Sequence, residues 1–154
     1  MNKLNILNYE SKHQPAFRAL NEAWISKYFT MEVQDYLALD NPDTKILKPG
    51  GAILMVAYNG EIVGTCALIK MSETRYELAK MAISPNVQGK KLGYQLGLAI
   101  IAKAKEMKAT SLYLESNTLL SPAISLYRKL GFKEMPRTES PYARCDIQME
   151  MVIE

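Results

Sequence analysis

The chain has 154 residues, a length suited to one domain with a single sizeable core. Its 48% hydrophobic and 23% charged content is ordinary for a globular protein. The net charge of +3 is dispersed without a basic run, which argues against nucleic acid as a partner, and no apolar stretch nears the ~18 residues a membrane helix needs.

Leu4 to Tyr9 alternates weakly and predicts a first strand. Ser11 is placed to cap a helix holding Pro15 in its first turns, with Phe17, Leu20, Ala23 and Trp24 at helical spacing. Thr30 is a candidate cap for a second, short helix that turns Val33, Tyr36 and Leu37 inward. Asn41-Pro42-Asp43 and Pro49-Gly50-Gly51 then break the chain. Ala52 to Tyr58 and Glu61 to Met71 read as a hairpin turning at Asn59-Gly60. Arg75 to Ser84 is a further strand, ended by Pro85, and Leu92 to Met107 is the central helix. Ser111 to Ser116 is a strand. Ser121 caps the last helix, with Pro122 opening it and Gly131 just past its end. Phe132 to Met135 and Arg144 to Ile153 read as closing strands, joined by a loop over 136–142. This order predicts an α/β (α+β) fold: a mixed sheet with helices on both faces.

Cys66 and Cys145 make neither a disulfide framework nor a metal cluster, and both read as buried, inert thiols. The one histidine, His13, sits beside Lys12 and Gln14 and reads as solvent-facing. Histidine-rich metal sites are thereby excluded, no metal is expected, and no serine occupies a Gly-x-Ser-x-Gly elbow. The amino terminus has no apolar signal core, so a cytoplasmic location is expected.

The segment Gln88-Gly89-Lys90-Lys91-Leu92-Gly93-Tyr94 carries the most chemistry. A glycine-bearing turn that opens a helix presents backbone N–H groups without intrahelical partners, at the positive end of the helix dipole. Lys90 and Lys91 are unfavourable there by about 0.3–1 kcal/mol each, unless an anion such as a diphosphate binds. Gly93 and Gly97 leave a bare stripe on the helix that follows. Close approach of a ligand at Gly93 and of a strand at Gly97 would explain them, as would tight helix packing alone.

Three segments together resemble the GNAT superfamily of acyl-CoA N-acyltransferases. Met81 to Gly93 is similar to that family's strand followed by Arg/Gln-x-x-Gly-x-Gly/Ala. Ala123-Ile124-Ser125-Leu126-Tyr127-Arg128-Lys129-Leu130-Gly131-Phe132 is close to its Leu-Tyr-x-Lys-x-Gly-Phe helix end. The Asn59 to Gly64 hairpin fits its second and third strands. Lys91 departs from the pattern, standing where the family usually has a glycine. The resemblance implies a mostly antiparallel sheet of about seven strands with about four helices, and a V-shaped cleft between the strands near 75–84 and 111–116.

It also implies acetyl-CoA as cosubstrate. Met81, Ala82 and Ile83 would meet the pantetheine arm as a strand edge meets a peptide. Gln88, Gly89, Lys90, Lys91, Leu92, Gly93 and Tyr94 would hold the pyrophosphate, and Asn117 could bond the arm or the acceptor. Tyr127 matches the family's general acid, a phenol of pKa near 10 able to protonate a thiolate of pKa about 8.5. Two carboxylates compete as general base. Glu77 is expected on one strand face with Ala79, Met81 and Ile83; Glu115 matches the catalytic glutamate of ribosomal-protein alanine acetyltransferases. A pair holding a water between them is a further arrangement. The N–H of Met81 or Ala82 is the candidate oxyanion donor. Trp24, Tyr28, Phe29, Tyr76 and Tyr142 are candidate acceptor walls.

The expected activity is transfer of an acetyl group to a primary amine, on a small molecule or a peptide, by a monomer or homodimer. A non-catalytic acyl-CoA-binding regulatory module is the alternative. A nucleic-acid binder using the Lys90-Lys91 turn lacks the interleaved aromatic and basic stripe of such proteins.

Overall fold

The structure, a computed structural model, describes residues 4–87 and 91–153. Its elements are β1 (Leu4–Asn8), α1 (Gln14–Tyr28), α2 (Val33–Asp40), β2 (Ala52–Tyr58), β3 (Glu61–Lys70), β4 (Arg75–Ile83), α3 (Leu92–Glu106), β5 (Ser111–Ser116), α4 (Ser121–Leu130), β6 (Lys133–Met135) and β7 (Ile147–Val152). Ser11 begins a short 3-10 turn, Ser11–His13, rather than capping α1. Pro15 sits in the first turn of α1, where its missing N–H costs nothing. No helix among the described residues is long and apolar enough to cross a membrane.

The strands form one seven-stranded sheet in the order β1-β2-β3-β4-β5-β7-β6. All neighbours are antiparallel except β4 and β5, and α3 makes the crossover that a parallel pair requires. The β2–β3 hairpin turns through Asn59 and Gly60, whose φ of 52° and 87° match the turn type that follows strand twist.

Both sheet faces are covered. Leu96 and Ile100 of α3 and Ile124 of α4 pack on Leu54, Leu68, Leu112 and Met149. Phe17 of α1 and Ala38 and Leu39 of α2 pack on Ile53, Met55 and Ala67. The glycine stripe of α3 receives α4 rather than a strand. A Cβ at Gly97 would lie 2.5 Å from Leu130 Cδ1, and one at Gly93 would lie 3.2 Å from Leu126 Cδ2.

Several local expectations are corrected. Helix α2 leaves Val33 71% exposed and Tyr36 outside, and buries Asp35, Ala38 and Leu39 instead. Its cap is Glu32 rather than Thr30: the Glu32 N–H donates to Asp35 Oδ2 at 2.9 Å. His13 is buried, with Nδ1 accepting the Glu10 N–H at 2.9 Å and its ring edge-on to Tyr9. Strand β7 begins at Ile147, so Arg144 and Cys145 belong to the preceding loop.

Two features of β4 shape the site. The β3–β4 register slips between Thr65 and Ala67, and Lys80 takes a left-handed φ of 54°. The extra residue reverses the alternation of the strand. Tyr76 and Leu78 face α3, and past the bulge Met81 and Ile83 do as well. Glu77, paired with Ile69, therefore faces α1 and α2, opposite Met81 and Ile83 rather than beside them. Strands β4 and β5 also pair only at Arg75↔Ser111, Tyr76↔Leu112 and Glu77↔Tyr113. Beyond that point β4 runs on to Ile83 and β5 to Ser116 with no ladder between them.

Candidate active site

The gap between β4 and β5 is a cleft of about 620 Å³, within the range of small-molecule sites. Its walls are β4 from Glu77 to Ile83 and the end of β5 at Glu115, Ser116 and Asn117. Lys91, Leu92, Gly93 and Tyr94 at the start of α3, with Leu126 and Tyr127 of α4, line it on one side of the sheet. Trp24, Tyr28, Phe29, Tyr142 and Arg144 line it on the other. The cleft thus passes through the sheet. It brings together nearly all the residues singled out from the sequence. Tyr76 is the exception: it is 5% exposed and lies in the α3-side core, off the cleft. Gln88, Gly89 and Lys90 lie outside the described residues.

The two glutamates are not equivalent. Both oxygens of Glu115 are engaged: Tyr113 Oη donates to one at 2.7 Å, and Ser140 Oγ donates to the other. The Glu77 carboxyl makes no hydrogen bond or ion pair among the described residues. Burial, reinforced by the charge of Glu115 and only partly offset by Lys80, pushes its carboxyl up to about 7. Burial likewise pushes the Tyr127 phenol well above its ordinary value, so it holds its proton. Phe132 packs edge-on against the Tyr127 ring, with centroids 6.1 Å apart.

At the other end of the cleft, Lys91 precedes α3 with φ 60°, in the left-handed region. The position asks for the backbone conformation that glycine adopts most readily, and lysine adopts it here. Asn117 donates to the Arg144 carbonyl at 2.7 Å and accepts the Leu119 N–H at 2.8 Å, so its first task is to tie the end of β5 to the following loop.

A model of the Acetyltransferase (GNAT) family matches residues 14–132. The chain belongs to the GNAT acetyltransferase family. The uncharacterized N-acetyltransferase YjgM of Escherichia coli K12 is 33% identical over 110 residues, spanning 70% of this chain and 66% of that protein. An IAA acetyltransferase of Azospirillum brasilense is 30% identical over 90 residues, 58% of this chain and 59% of that protein. This chain therefore aligns with about two thirds or less of the length of these two relatives. Among solved structures, a GNAT-family acetyltransferase from Staphylococcus aureus Mu50 superposes with a TM-score of 0.88 at 21% identity, covering 99% of this chain and 100% of that one. N-acetylglutamate synthase from Neisseria gonorrhoeae, solved with coenzyme A and N-acetyl-glutamate, superposes at 0.76 with 19% identity, over 99% of this chain and 35% of that one. These two likenesses concern the fold.

Within this GNAT fold, one cluster was not foreseen from the sequence. Asp35 of α2 is 0% exposed, and Lys80 at the β4 bulge is 8% exposed. Lys80 Nζ donates to Asp35 Oδ1 at 2.8 Å and to Tyr142 Oη at 2.9 Å. Arg144 donates to both Asp35 oxygens, at 2.7 and 2.6 Å, and the Ala143 N–H donates to Glu32 Oε1 at 2.9 Å. Burial alone would raise the Asp35 carboxyl; the Arg144 and Lys80 hydrogen bonds outweigh it and hold it down at about 2. Trp24 is steadied separately, its Nε1 donating to the buried Asn21 at 3.1 Å. The only advance signal was a charged residue at a position of α2 that helical spacing would turn toward Ala38 and Leu39.

Proposed function

We propose that this protein transfers the acetyl group of acetyl-CoA to a primary amine, with Glu77 accepting the amine's proton and Tyr127 donating one to the departing sulfur. The observation that carries this reading is Glu77: a carboxyl inside the cleft, free of partners among the described residues and poised near neutrality. A general base works best with a pKa near the working pH. Glu115, with both oxygens engaged, supports Glu77 as the base and acts as the fixed charge that raises it.

The residues present fit the coenzyme. Past Glu77 the β4 edge has no β5 ladder, as an extended amide-bearing arm would need. Met81, Ala82 and Ile83 line the cleft and would meet that arm, and the amides at the start of α3 would face its pyrophosphate. When bound, acetyl-CoA supplies the activated acyl group. The two ends of the cleft support a division of sides in this reading: coenzyme from the α3–α4 face, amine from the α1–α2 face where Glu77 points. The amine nitrogen bonds to the acyl carbon, the carbon–sulfur bond breaks, Glu77 takes the proton from nitrogen, and Tyr127 gives one to sulfur. The N–H of Met81 or Ala82 is our choice of donor to the transient oxyanion.

A panel of amines with acetyl-CoA, followed by thiol release, tests the reading. At least one amine gives turnover that depends on protein concentration. Tyr127→Phe lowers kcat by about 10²-fold or more while coenzyme affinity holds. Failure of every amine to give thiol release would reject catalysis; full activity in Tyr127→Phe would reject that residue as the acid.

A further inference from the structure

The amine-binding side of the cleft has spent its cations. Among the described residues the basic side chains lining the cleft are Lys80, Lys91 and Arg144. Lys91 stands at the start of α3, on the far side of the sheet from Glu77. Lys80 is committed to Asp35 and Tyr142, and Arg144 to both oxygens of Asp35 and, at 3.4 Å, to Glu32. Arg144 is further confined by aromatic faces: its guanidinium carbon lies 4.6 Å from the Tyr142 ring centroid and 5.8 Å from that of Trp24. Asp35 is wholly buried and takes its side-chain hydrogen bonds from these two cations and the Glu32 N–H, so drawing either cation to a new anion weakens the pairing of a carboxylate held in the interior. Glu77 and Glu115 face the same space, and among the described residues no basic side chain forms an ion pair with either. An incoming carboxylate would meet two acids and no available counter-charge. An incoming ammonium or an apolar chain would meet acids and the rings of Trp24, Tyr28, Phe29 and Tyr142.

We infer that the acceptor is a primary amine with no carboxylate on its amine-bearing carbon, carried on an alkyl or aralkyl chain, and that free α-amino acids are rejected. The inference rests on the acetyl-transfer reading above and names the substrate class of that same site. It sets this chain apart from its structural neighbour solved with N-acetyl-glutamate, whose bound product carries such a carboxylate.

Matched pairs that carry a single amine and differ only by the carboxylate test it: phenethylamine with phenylalanine, and pentylamine with norleucine. Each is titrated calorimetrically into the full chain with coenzyme A present, and each is assayed for thiol release with acetyl-CoA. The amine of each pair is expected to bind at least tenfold more tightly and to give the higher kcat/KM. Equal or reversed order in both pairs, or no binding of any member, overturns the inference. The expected binding order without thiol release supports the inference and rejects catalysis, so the two failures read separately. Asp35→Asn releases both cations and narrows the amine-to-amino-acid ratio at least threefold. Should that variant not fold, Glu32→Gln releases one contact of Arg144 and narrows the ratio in the same direction. An unchanged ratio in a folded variant overturns the argument from committed cations.

Discussion

A carboxyl pushed up to about 7 is part ionised at neutral pH, and that has two readable consequences at Glu77. In catalysis, the pH–kcat/KM profile of the wild type has an inflection near 7 that the Glu77→Gln profile lacks, and the variant is slower by about 10²-fold or more above it. The same inflection surviving in Glu77→Gln would assign the proton to another group. In stability, the sign follows from the direction of the shift. The folded state holds the Glu77 proton more tightly than the unfolded chain, where the ordinary value is 4.5. The favourable contribution is therefore full below about 4.5 and is lost as pH rises through about 7. That gap corresponds to about 3 kcal/mol. Urea unfolding at pH 5 and pH 8 checks it: the wild type loses about that much relative to Glu77→Gln across the interval. A difference below about 1 kcal/mol would mean that water screens Glu77 well.

Elements differ in how openly the sequence announces them. Strands β2 and β5 match their predicted bounds because dense apolar runs end at turn residues, Asn59-Gly60 for the one and Asn117 for the other. Glu77, Glu115, Tyr127 and Gly93 stood out through the resemblance of their segments to family motifs, and all four line the cleft. The exposed face of α2 was misread because Asp35 pairs with Lys80 and Arg144, 45 and 109 positions away, and no local pattern foretells that. The β4 bulge was equally silent, since it places a lysine, not a glycine, in a left-handed conformation, and with it went the side assigned to Met81 and Ile83. Tyr76 failed as a wall for a simpler reason: it sits on the core phase of β4. The Asp35 cluster joins α2, the bulge and the loop before β7. Asp35→Asn is expected to cost about 3–5 kcal/mol in chemical denaturation, because two cations lose their buried partner. A cost under about 1 kcal/mol would show that Lys80 and Arg144 find other partners. Lys91 is the opposite case, an element end under backbone strain. Lys91→Gly removes a left-handed penalty of about 1–2 kcal/mol and gains unfolded-chain freedom worth about 0.5–1 kcal/mol, so the variant is expected to be modestly more stable. A lower melting temperature would show that the Lys91 side chain contributes more than its backbone costs.

At the scale of the molecule, the sheet is continuous except along one seam. Strands β1 to β4 form one half, and β5, β7 and β6 form the other. The closed end of the seam is clipped by Arg75, which donates to Ser111 Oγ at 3.0 Å and Glu150 Oε1 at 3.2 Å and lies over the Tyr113 ring. The open end, past Glu77 and Tyr113, is held by α3, α4 and the loop before β7, without backbone bonds between the strands. A ligand that adds amide pairing along β4 would lock that open end, because it binds the folded seam and not the unfolded chain. Coenzyme A at a hundredfold excess over its Kd is then expected to stabilise the protein by about 2.7 kcal/mol, a rise in Tm of about 5–10 °C for a chain of this length. Hydrogen exchange locates the effect. The amides of 78–83 should slow on addition of coenzyme A more than those of β1 and β2, which lie two strands or more from the seam. Protection spread evenly over the sheet, or concentrated at β1, would move the coenzyme away from the gap between β4 and β5 and with it the placement of Glu77 and Tyr127 on either side of the reacting bond.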